Sequence, residues 1–299
     1  MNITPPGRLY VVATPIGNLG DLSVRAREIL QSVSLIAAED TRHTGVLLKH
    51  FGIDTPQLSL HDHNEQQRTP DLVSRLRQGA SIALVSDAGT PAISDPGFDL
   101  VRAAAAAGID VVAIPGPCAA IAALSIGGLP TDRFCFEGFL PARGAARRRR
   151  LEALANEART LVFYESPHRL QDTLEDCAAV FGDARGATVA REITKLHETA
   201  YRGPLRELLS RAASDADFGR GEIVLVIAGS APASDESDGR GADGHGGELD
   251  RVLKILLGEL PLKQAARLAA QITDARDNEA YKRALHLKRG SSSEYHIDS

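Results

Sequence analysis

Four short turns in the first half of the chain, each following an apolar run, have compositions that suit ligand binding. The longest, residues 86–97, reads SDAGTPAISDPG; the others are TPIGN at 14–18, EDTR at 39–42 and PGP at 115–117. Prolines and glycines fix the path of such a backbone, so its amides and carbonyls can be directed at a bound molecule. Because strand ends of a parallel sheet meet at one edge, we predict a single site for a small organic ligand across the four turns.

Neither GxxxxGK[ST] nor GxGxxG occurs in these turns, which disfavours NTP hydrolysis and a nicotinamide cofactor. Two later segments, FYESPHR at 163–169 and AREITK at 190–195, place many ionisable side chains after apolar runs. These side chains are either solvated loop ends or a ring of ion pairs that steers a polar substrate, and the sequence leaves both interpretations open.

A cluster of arginines lies in residues 143–150, with no acidic residue among them: Arg143, Arg147, Arg148, Arg149 and Arg150. Such a cluster suits phosphate contacts, since each cation displaces counterions from a nucleic acid. The alternative is a solvated helix start. Because unpaired arginines repel one another, we favour phosphate contacts.

The elements that position these residues alternate between strand and helix, which predicts an α/β fold. Continuously apolar strands at 9–13, 34–38, 82–85 and 111–114 indicate a parallel sheet covered on both faces, in a domain spanning 1–130. A second α/β domain, 131–229, has predicted strands at 134–139, 160–164, 188–191 and 222–228, in a mixed sheet. Residues 230–247 read as a flexible linker, 248–288 as a small helical domain and 289–299 as a disordered tail.

Composition narrows the class of protein further. A formal net charge of −5 argues against a wholly basic nucleic-acid binder but not against a local basic face. Cys118, Cys135 and Cys177 form no CxxC pair, and the segment His61-Asp62-His63 reads as a polar loop, so we predict no metal site. The chain contains no long uninterrupted apolar segment and no signal-like start, and we expect a cytoplasmic protein without a membrane span.

Taken together, the motifs resemble a known family. ATPIGNLGDLS, IAAEDTRHTGVLLKHFGI, LHDHNE, LVSDAGTPAISDPG, IPGPCAAIAAL, LPTDRFCFEGFLP, YESPHR and VARE-TK are similar to motifs of the ribosomal RNA small subunit methyltransferase I family, in the tetrapyrrole-methylase superfamily. The similarity runs from about residue 9 to about residue 229 and extends to the helices at 249–287. Tetrapyrrole enzymes of the superfamily have a GxGxGD first loop where this chain has TPIGNLGD. This difference argues against a tetrapyrrole as the substrate.

The resemblance implies two α/β domains with a cleft for S-adenosylmethionine (SAM) between them, and a homodimer. It implies 2′-O-methylation of a cytidine in the decoding region of 16S rRNA, as free rRNA or in the 30S subunit. Family contacts to SAM map onto the following positions: Pro15, Ile16, Asp87, Ala88, Gly89, Pro91, Ile93, Cys118, Ala119, Phe163 or Tyr164, Ala190, Glu222 and Ile223.

For such a reaction, residue type and strand-end position suggest the groups that act on the ribose hydroxyl. Asp40 or Lys195 is the favoured base, with Glu39 and Glu192 as further candidates. Arg42, Arg191 and the arginine cluster would contact phosphates. Two other hypotheses remain: a methyltransferase acting on a tetrapyrrole or other small molecule, and a non-catalytic RNA-binding assembly factor that has kept the fold.

Overall fold

The structure is a computed structural model that describes residues 7–215, 217–230, 246–273 and 275–291. The chain divides into two compact units, residues 1–230 and 231–299. Residues 231–245 of the predicted linker and 292–299 of the predicted tail lie outside the described residues.

The first sheet of the larger unit is parallel. Its strands are β1 (Leu9–Val12), β2 (Leu35–Ala38), β3 (Gln57–Ser59), β4 (Ile82–Val85) and β5 (Val111–Ile114). They are ordered β3-β2-β4-β1-β5, and every pair is parallel. Strands β2 and β4 are buried along their whole length, which explains their continuous apolar sequences. The connecting helices are α1 (Val24–Ser32), α2 (Thr41–Phe51), α3 (Glu65–Arg77), α4 (Phe98–Ala106) and α5 (Ala119–Ile126).

The second sheet is mixed, as predicted. Its strands are β6 (Phe134–Phe139), β7 (Thr160–Glu165), β8 (Gly186–Arg191), β9 (Thr199–Pro204) and β10 (Ile223–Ile227), in the order β6-β7-β10-β8-β9. Only the β6–β7 pair is parallel. Helices α6 (Gly144–Ala153), α7 (Leu170–Phe181) and α8 (Leu205–Ser214) accompany this sheet.

A shared apolar cluster joins the two sheets within this unit. Ala120 and Leu124 of α5 and Ile16 of the loop after β1 pack against Val162 of β7 and Val224 of β10. The carboxyl ends of the strands of the first sheet therefore face the second sheet. The division at residue 130 into two domains remains a prediction, since both sheets fall in one compact unit.

The smaller unit contains helices α9 (Gly246–Glu259), α10 (Leu262–Thr273) and α11 (Asp277–Ser291). Small side chains such as Ala266, Ala269 and Ala280 form its buried centre, so the helices can approach closely. The Arg283 guanidinium donates to the Asp250 carboxylate at 2.6 and 2.7 Å. Because α11 continues to Ser291, the first residues of the predicted disordered tail are helical. None of the helices in the described ranges is long and apolar enough to cross a membrane.

Candidate active site

A cavity of about 370 Å³ lies between the two sheets of the larger unit, where the loops after β1, β4 and β5 meet β7 and β10. The first sheet contributes Ile16, Ala88, Gly89, Thr90, Ile93, Ser94, Asp95, Cys118 and Ala119. The second contributes Phe139, Tyr164, Glu165, Ser166, Pro167, Ile193, Gly221, Glu222, Ile223 and Val224. Two of the four turns singled out in the sequence, 14–18 and 86–97, thus line one cavity. The residues directly after PGP, Cys118 and Ala119, line it as well, and EDTR borders it through Asp87.

The wall on the side of the first sheet is held by a short antiparallel bridge. The Thr14 amide donates to the Gly89 carbonyl at 2.8 Å, and the Gly89 amide donates back to the Thr14 carbonyl at 3.1 Å. Gly89 has a φ of 85°, and Ala92 and Ser94 both have a φ of 66° although they carry side chains. Strain of this kind, of order 1–3 kcal/mol per residue, concentrates at binding sites, where the surrounding structure enforces it.

The opposite wall is aromatic and apolar. The Tyr164 ring meets the rings of Phe136 and Phe139 edge-on, with centroids 4.9 and 5.5 Å apart. Burial raises the pKa of the Tyr164 phenol, so it stays neutral. Phe139 is 59% exposed and extends this wall towards solvent, while Ile93 lies on the other wall. Such a slot suits a planar heteroaromatic ring, which stacks on apolar and aromatic surfaces.

Carboxylates gather at the end of the cavity near β2 and β4. The Asp87 carboxylate accepts a hydrogen bond from the Asp40 amide at 3.0 Å, and the Glu39 carboxylate accepts one from the Asp87 amide at 3.3 Å. Burial, followed by repulsion from Glu39 and Asp87, raises the pKa of Asp95 to about 6. Burial is also the main reason why the pKa of Glu39 is raised. This end of the cavity attracts a cation and repels an anion.

Lys195 connects the second sheet to the loop after β1. Its ammonium contacts Glu192 at 2.9 Å and Glu222 at 3.2 Å. The aliphatic part of its side chain crosses Gly17 so closely that a Cβ atom there would lie 2.5 Å from Lys195 Cγ. Glu192 also accepts a hydrogen bond from the Glu222 amide at 2.9 Å. These contacts hold Glu222, a cavity residue, against the first loop.

Most of the predicted cofactor contacts line the cavity: Ile16, Ala88, Gly89, Ile93, Cys118, Ala119, Tyr164, Glu222 and Ile223. Phe163 does not, because side chains alternate along β7; Tyr164 takes the cavity face, and Phe163 is fully buried in the core behind it. Ala190 is buried in the apolar cluster shared by the two sheets.

The remaining predicted cofactor contacts lie beside the cavity. Pro91 is buried within the loop after β4. Pro15 and Asp87 line a second, smaller cavity that adjoins the Thr14–Gly89 bridge.

The favoured catalytic residues are placed unfavourably for taking up a proton. The Asp40 carboxylate caps α2 and binds the Arg42 guanidinium, which holds its pKa well below its usual range. Lys195 is held protonated by its two carboxylates, with a raised pKa. Glu192 has a lowered pKa, because it accepts bonds from the Glu222 amide and Lys195. Of the four predicted residues, Glu39 alone has a carboxylate whose proton affinity is raised.

The arginine cluster is only partly free for phosphates, contrary to the prediction. Arg147 is 4% exposed, and its guanidinium bonds Asp176 of α7 at 2.6 Å. Arg148 bonds the same carboxylate at 3.0 Å, and Arg150 bonds Glu137 of β6 at 3.1 Å. The carboxylates that pair with these arginines belong to other helices and strands. The sequence around the cluster therefore does not reveal the ion pairs.

Two arginines of the cluster, Arg143 and Arg149, are exposed and form no ion pair within the described part of the chain. Arg42 is exposed although it is paired with Asp40. Arg191 is 8% exposed and donates to the Arg220 carbonyl at 3.0 Å, so it supports the fold rather than presenting a charge.

Asp95 is a cavity residue that was not predicted from the sequence. It lies in the turn at 86–97, and an acidic residue between Ser94 and Pro96 is the signal that could have identified it. Ser94, Ser166 and Pro167 also line the cavity unpredicted. The segment His61-Asp62-His63 is a turn, and within the described ranges no group of His, Cys, Asp and Glu could hold a metal ion.

The chain matches two protein-family models. Residues 8–209 match the family Tetrapyrrole (Corrin/Porphyrin) Methylases. Residues 243–288 match the family described as the RsmI C-terminal HTH domain. The two matches correspond to the larger unit with its cavity and to the smaller helical unit.

Several curated proteins named ribosomal RNA small subunit methyltransferase I are similar to this chain over nearly their full length. The protein from Pseudomonas aeruginosa is 56% identical, covering 93% of this chain and 97% of the relative. The protein from Escherichia coli O157:H7 is 53% identical, covering 93% and 95%. The protein from Synechocystis is 49% identical, covering 94% and 99%.

Two solved structures share the fold. A uroporphyrin-III-C-methyltransferase from Thermus thermophilus superimposes with a TM-score of 0.53 at 20% identity, over 74% of this chain and 94% of that chain. A diphthine synthase superimposes with a TM-score of 0.56 at 15% identity, over 75% and 90%. At such low identity these likenesses concern the fold alone.

Proposed function

Because the chain belongs to the tetrapyrrole methylase family and, within it, to the ribosomal RNA small subunit methyltransferases I, we propose that this methyltransferase transfers a methyl group from SAM to a ribose 2′-hydroxyl of small-subunit rRNA. The acceptor we propose is a cytidine in the decoding region of 16S rRNA. The observation that carries the proposal is the cavity between the two sheets, whose walls have the chemistry that SAM requires.

The residues of the cavity fit SAM in three respects. The apolar and aromatic surface of Tyr164, Phe139 and Ile93 suits its adenine ring. The carboxylates near Asp95 suit a molecule that carries a sulfonium and an ammonium group. Ala88 and Gly89 line the wall of the cavity, and a glycine at φ 85° lets the backbone take this path beside a bound molecule.

When bound, SAM supplies an already activated methyl group, so much of the remaining work is alignment, worth up to about 7–11 kcal/mol in favourable cases. Contacts within the chain fix the walls of the cavity before SAM binds. The Thr14–Gly89 bridge sets one wall, and Lys195 holds Glu222 against the Gly17 loop on the other side.

We propose Glu39 as the acceptor of the proton released by the 2′-hydroxyl. Burial raises the proton affinity of its carboxylate, which brings it closer to the value that general-base catalysis favours. Its bond to the Asp87 amide fixes its position beside the cavity loops. Asp40, Lys195 and Glu192 have roles in holding the site, through the helix cap and the ion pairs described above.

RNA would be held by cations that remain exposed. Arg143 and Arg149 near α6, and Arg42 at the start of α2, are available for phosphates. We also propose that the protein acts as a homodimer in the cytoplasm, on 16S rRNA or the 30S subunit. The half-exposed edge strand β5 and Ile121 of α5, 51% exposed, support a second copy at this side.

Labelled SAM, offered with three acceptors in parallel, tests the proposal. The acceptors are 30S subunits, naked 16S rRNA and a porphyrinogen. We expect label in the RNA and none in the porphyrinogen. Label in the porphyrinogen alone would favour a tetrapyrrole methylase, and binding of SAM or RNA without transfer to any acceptor would favour an assembly factor.

A further inference from the structure

Phe139 is an exposed aromatic residue at the mouth of the cofactor cavity. It lines the cavity and is nevertheless 59% exposed. Aromatic residues are scarce in this chain, which has eight Phe, five Tyr and no Trp, so few rings are available for stacking on a ligand. A ring that lines the cavity and also reaches solvent offers surface to a second molecule beside the cofactor.

A β-bulge directs the Phe139 ring to the cavity. Glu137 is an extra residue in β6, placed where the register of the β6–β7 pair shifts. Side chains alternate along a regular strand, so Phe136 and Phe139 would point to opposite faces without it. The bulge puts both rings on the face of the sheet that carries Tyr164, and both contact the Tyr164 ring. Bulges often re-aim a side chain in this way next to an active site.

The bulge also brings β6 against the long loop after β4. A Cβ atom on Gly138 would lie 3.1 Å from the Ser94 hydroxyl oxygen, and Ser94 lines the cavity. The chain neighbours of these two residues, Phe139 and Ile93, flank this contact, one on each wall. Ile93 is itself 40% exposed. The mouth of the cavity is therefore apolar on both sides, which suits an uncharged planar ring.

The charges of the cavity favour a base over a phosphate at this mouth. The charged side chains that line the cavity are Asp95, Glu165 and Glu222, and none of the described lining residues is cationic. Glu165 is paired with Arg169 at 3.0 Å and Glu222 with Lys195 at 3.2 Å. The cavity thus has no free cation for a phosphate, whereas every base has an uncharged face that stacks on an aromatic ring.

A cation for the RNA backbone lies just outside the cavity. Arg143 follows Phe139 by four residues, so the two Cα atoms are no more than about 14 Å apart. Arg143 is exposed and forms no ion pair within the described part of the chain. The nearest carboxylate in sequence, Glu137, is paired with Arg150 of α6 at 3.1 Å. A short stretch of single-stranded RNA can therefore place a phosphate on Arg143 and a base on Phe139.

We propose that the base of the acceptor nucleotide, unstacked from its neighbours in the RNA, lies on the exposed part of the Phe139 ring. This assignment rests on the proposed function and names the residue that positions the nucleotide at the cavity mouth. The adenine ring of SAM takes the inner part of the same wall, at Tyr164. Stacking of unstacked bases on aromatic side chains is a common way in which proteins hold single-stranded RNA.

The variant Phe139→Leu tests the proposal, because it keeps an apolar side chain and removes the ring. At saturating SAM we expect kcat/KM for small-subunit rRNA to fall about 5- to 100-fold, the effect of losing one stacked base. Phe139→Tyr, which restores the ring, should recover most of this loss. Phe134→Leu is the matched control, because Phe134 lies at the other end of β6, is 37% exposed and lines neither cavity. Its kcat/KM should stay within about twofold of wild type.

Two binding measurements separate stacking from other roles of Phe139. Affinity for naked 16S rRNA without SAM should fall in Phe139→Leu, while the slope of log affinity against log salt stays unchanged, because stacking releases no counterions. Affinity for SAM by calorimetry should fall less than about threefold, since Tyr164 keeps the inner wall aromatic.

A wild-type kcat/KM in Phe139→Leu would overturn the proposal, and so would a Phe139→Tyr variant as defective as Phe139→Leu. A loss of SAM affinity as large as the loss of kcat/KM would also overturn it, because Phe139 would then belong to the cofactor site alone. Failure of the proposed function has a different signature, since wild-type protein would then transfer no methyl group to small-subunit rRNA.

Discussion

The side chain of Lys195 lies across Gly17, so close that any Cβ atom at Gly17 would come within 2.5 Å of Lys195 Cγ. Gly17 also has a φ of 152°, which residues with side chains rarely adopt. This contact joins a loop of the first sheet to the second sheet at the edge of the cavity. Lys195 is therefore a positioning residue, whereas the sequence had suggested a base.

A double-mutant cycle measures this contact. Gly17→Ala should destabilise the larger unit by about 1–3 kcal/mol through strain and the clash with Lys195. In a Lys195→Ala background the clash is gone, so the penalty should shrink by at least about 0.5 kcal/mol. Denaturant unfolding provides the free energies. Gly52→Ala is the control, because Gly52 has a φ of 65° but a Cβ atom there would touch nothing; its penalty should be equal in both backgrounds.

Replacing Glu39 by Gln should remove the proton acceptor. We expect kcat to fall about 10²–10⁴-fold, with SAM affinity little changed, since Gln keeps the size and the bond to the Asp87 amide. Asp40→Asn is the comparison, because Asn also caps helices well and Asp40 is already tied to Arg42. A larger loss of kcat in Asp40→Asn than in Glu39→Gln would return the role of base to Asp40.

The raised pKa of Asp95 predicts a dependence on pH. Its folded-state value of about 6 lies above its ordinary value of 3.8, so the folded state binds the proton more tightly. Stability contributed by Asp95 is therefore lost as pH rises from about 4 to about 6. Unfolding titrations should show wild-type protein losing more stability over this range than Asp95→Asn; parallel curves would contradict the assignment.

The same carboxylate should make SAM binding sensitive to pH. Ionised Asp95 attracts a cation, so wild-type affinity for SAM should rise as pH approaches about 6 and level off above it. Asp95→Asn should bind more weakly and lose this part of the dependence. Calorimetry at several pH values provides the comparison.

Replacing neighbouring arginines of the cluster should affect different properties: the stability of the fold in one case and the affinity for RNA in the others. Arg147→Ala leaves the Asp176 carboxylate, 8% exposed, without its closest partner and should destabilise the fold by about 3 kcal/mol. Arg143→Ala and Arg149→Ala should change stability by less than about 0.5 kcal/mol. Each should instead reduce the slope of log affinity for rRNA against log salt by about 1. An unchanged slope in both variants would remove the arginine cluster from the RNA interface.

The sequence predicts the elements that are continuously apolar and misses those that are not. Strands β2 and β4 are buried on both faces and were evident. The strand β3 has only the residues QLS, and β9 reads TAYRGP, which lacks an apolar run and ends in Gly and Pro. Helix α8 was also missed, although Leu205, Leu208 and Ala212 recur at helical spacing.

For the site, local sequence identifies backbone turns better than charged partners. The turns around Ile16, Gly89 and Cys118 were found because Gly and Pro mark special backbone conformations wherever they occur. The pairing of Arg147 with Asp176 and of Lys195 with Glu222 depends on how α6, α7, β8 and β10 pack. No local pattern contains that information, so the free and the engaged cations could not be separated.

Mapping the methylated product shows whether the methyl group reaches a ribose of the small-subunit RNA. Small-subunit rRNA methylated by the protein with labelled SAM would be digested with nuclease and analysed by mass spectrometry. We predict a single 2′-O-methylcytidine in the decoding region. Label on a base, or on a ribose elsewhere in the RNA, would contradict the proposed function.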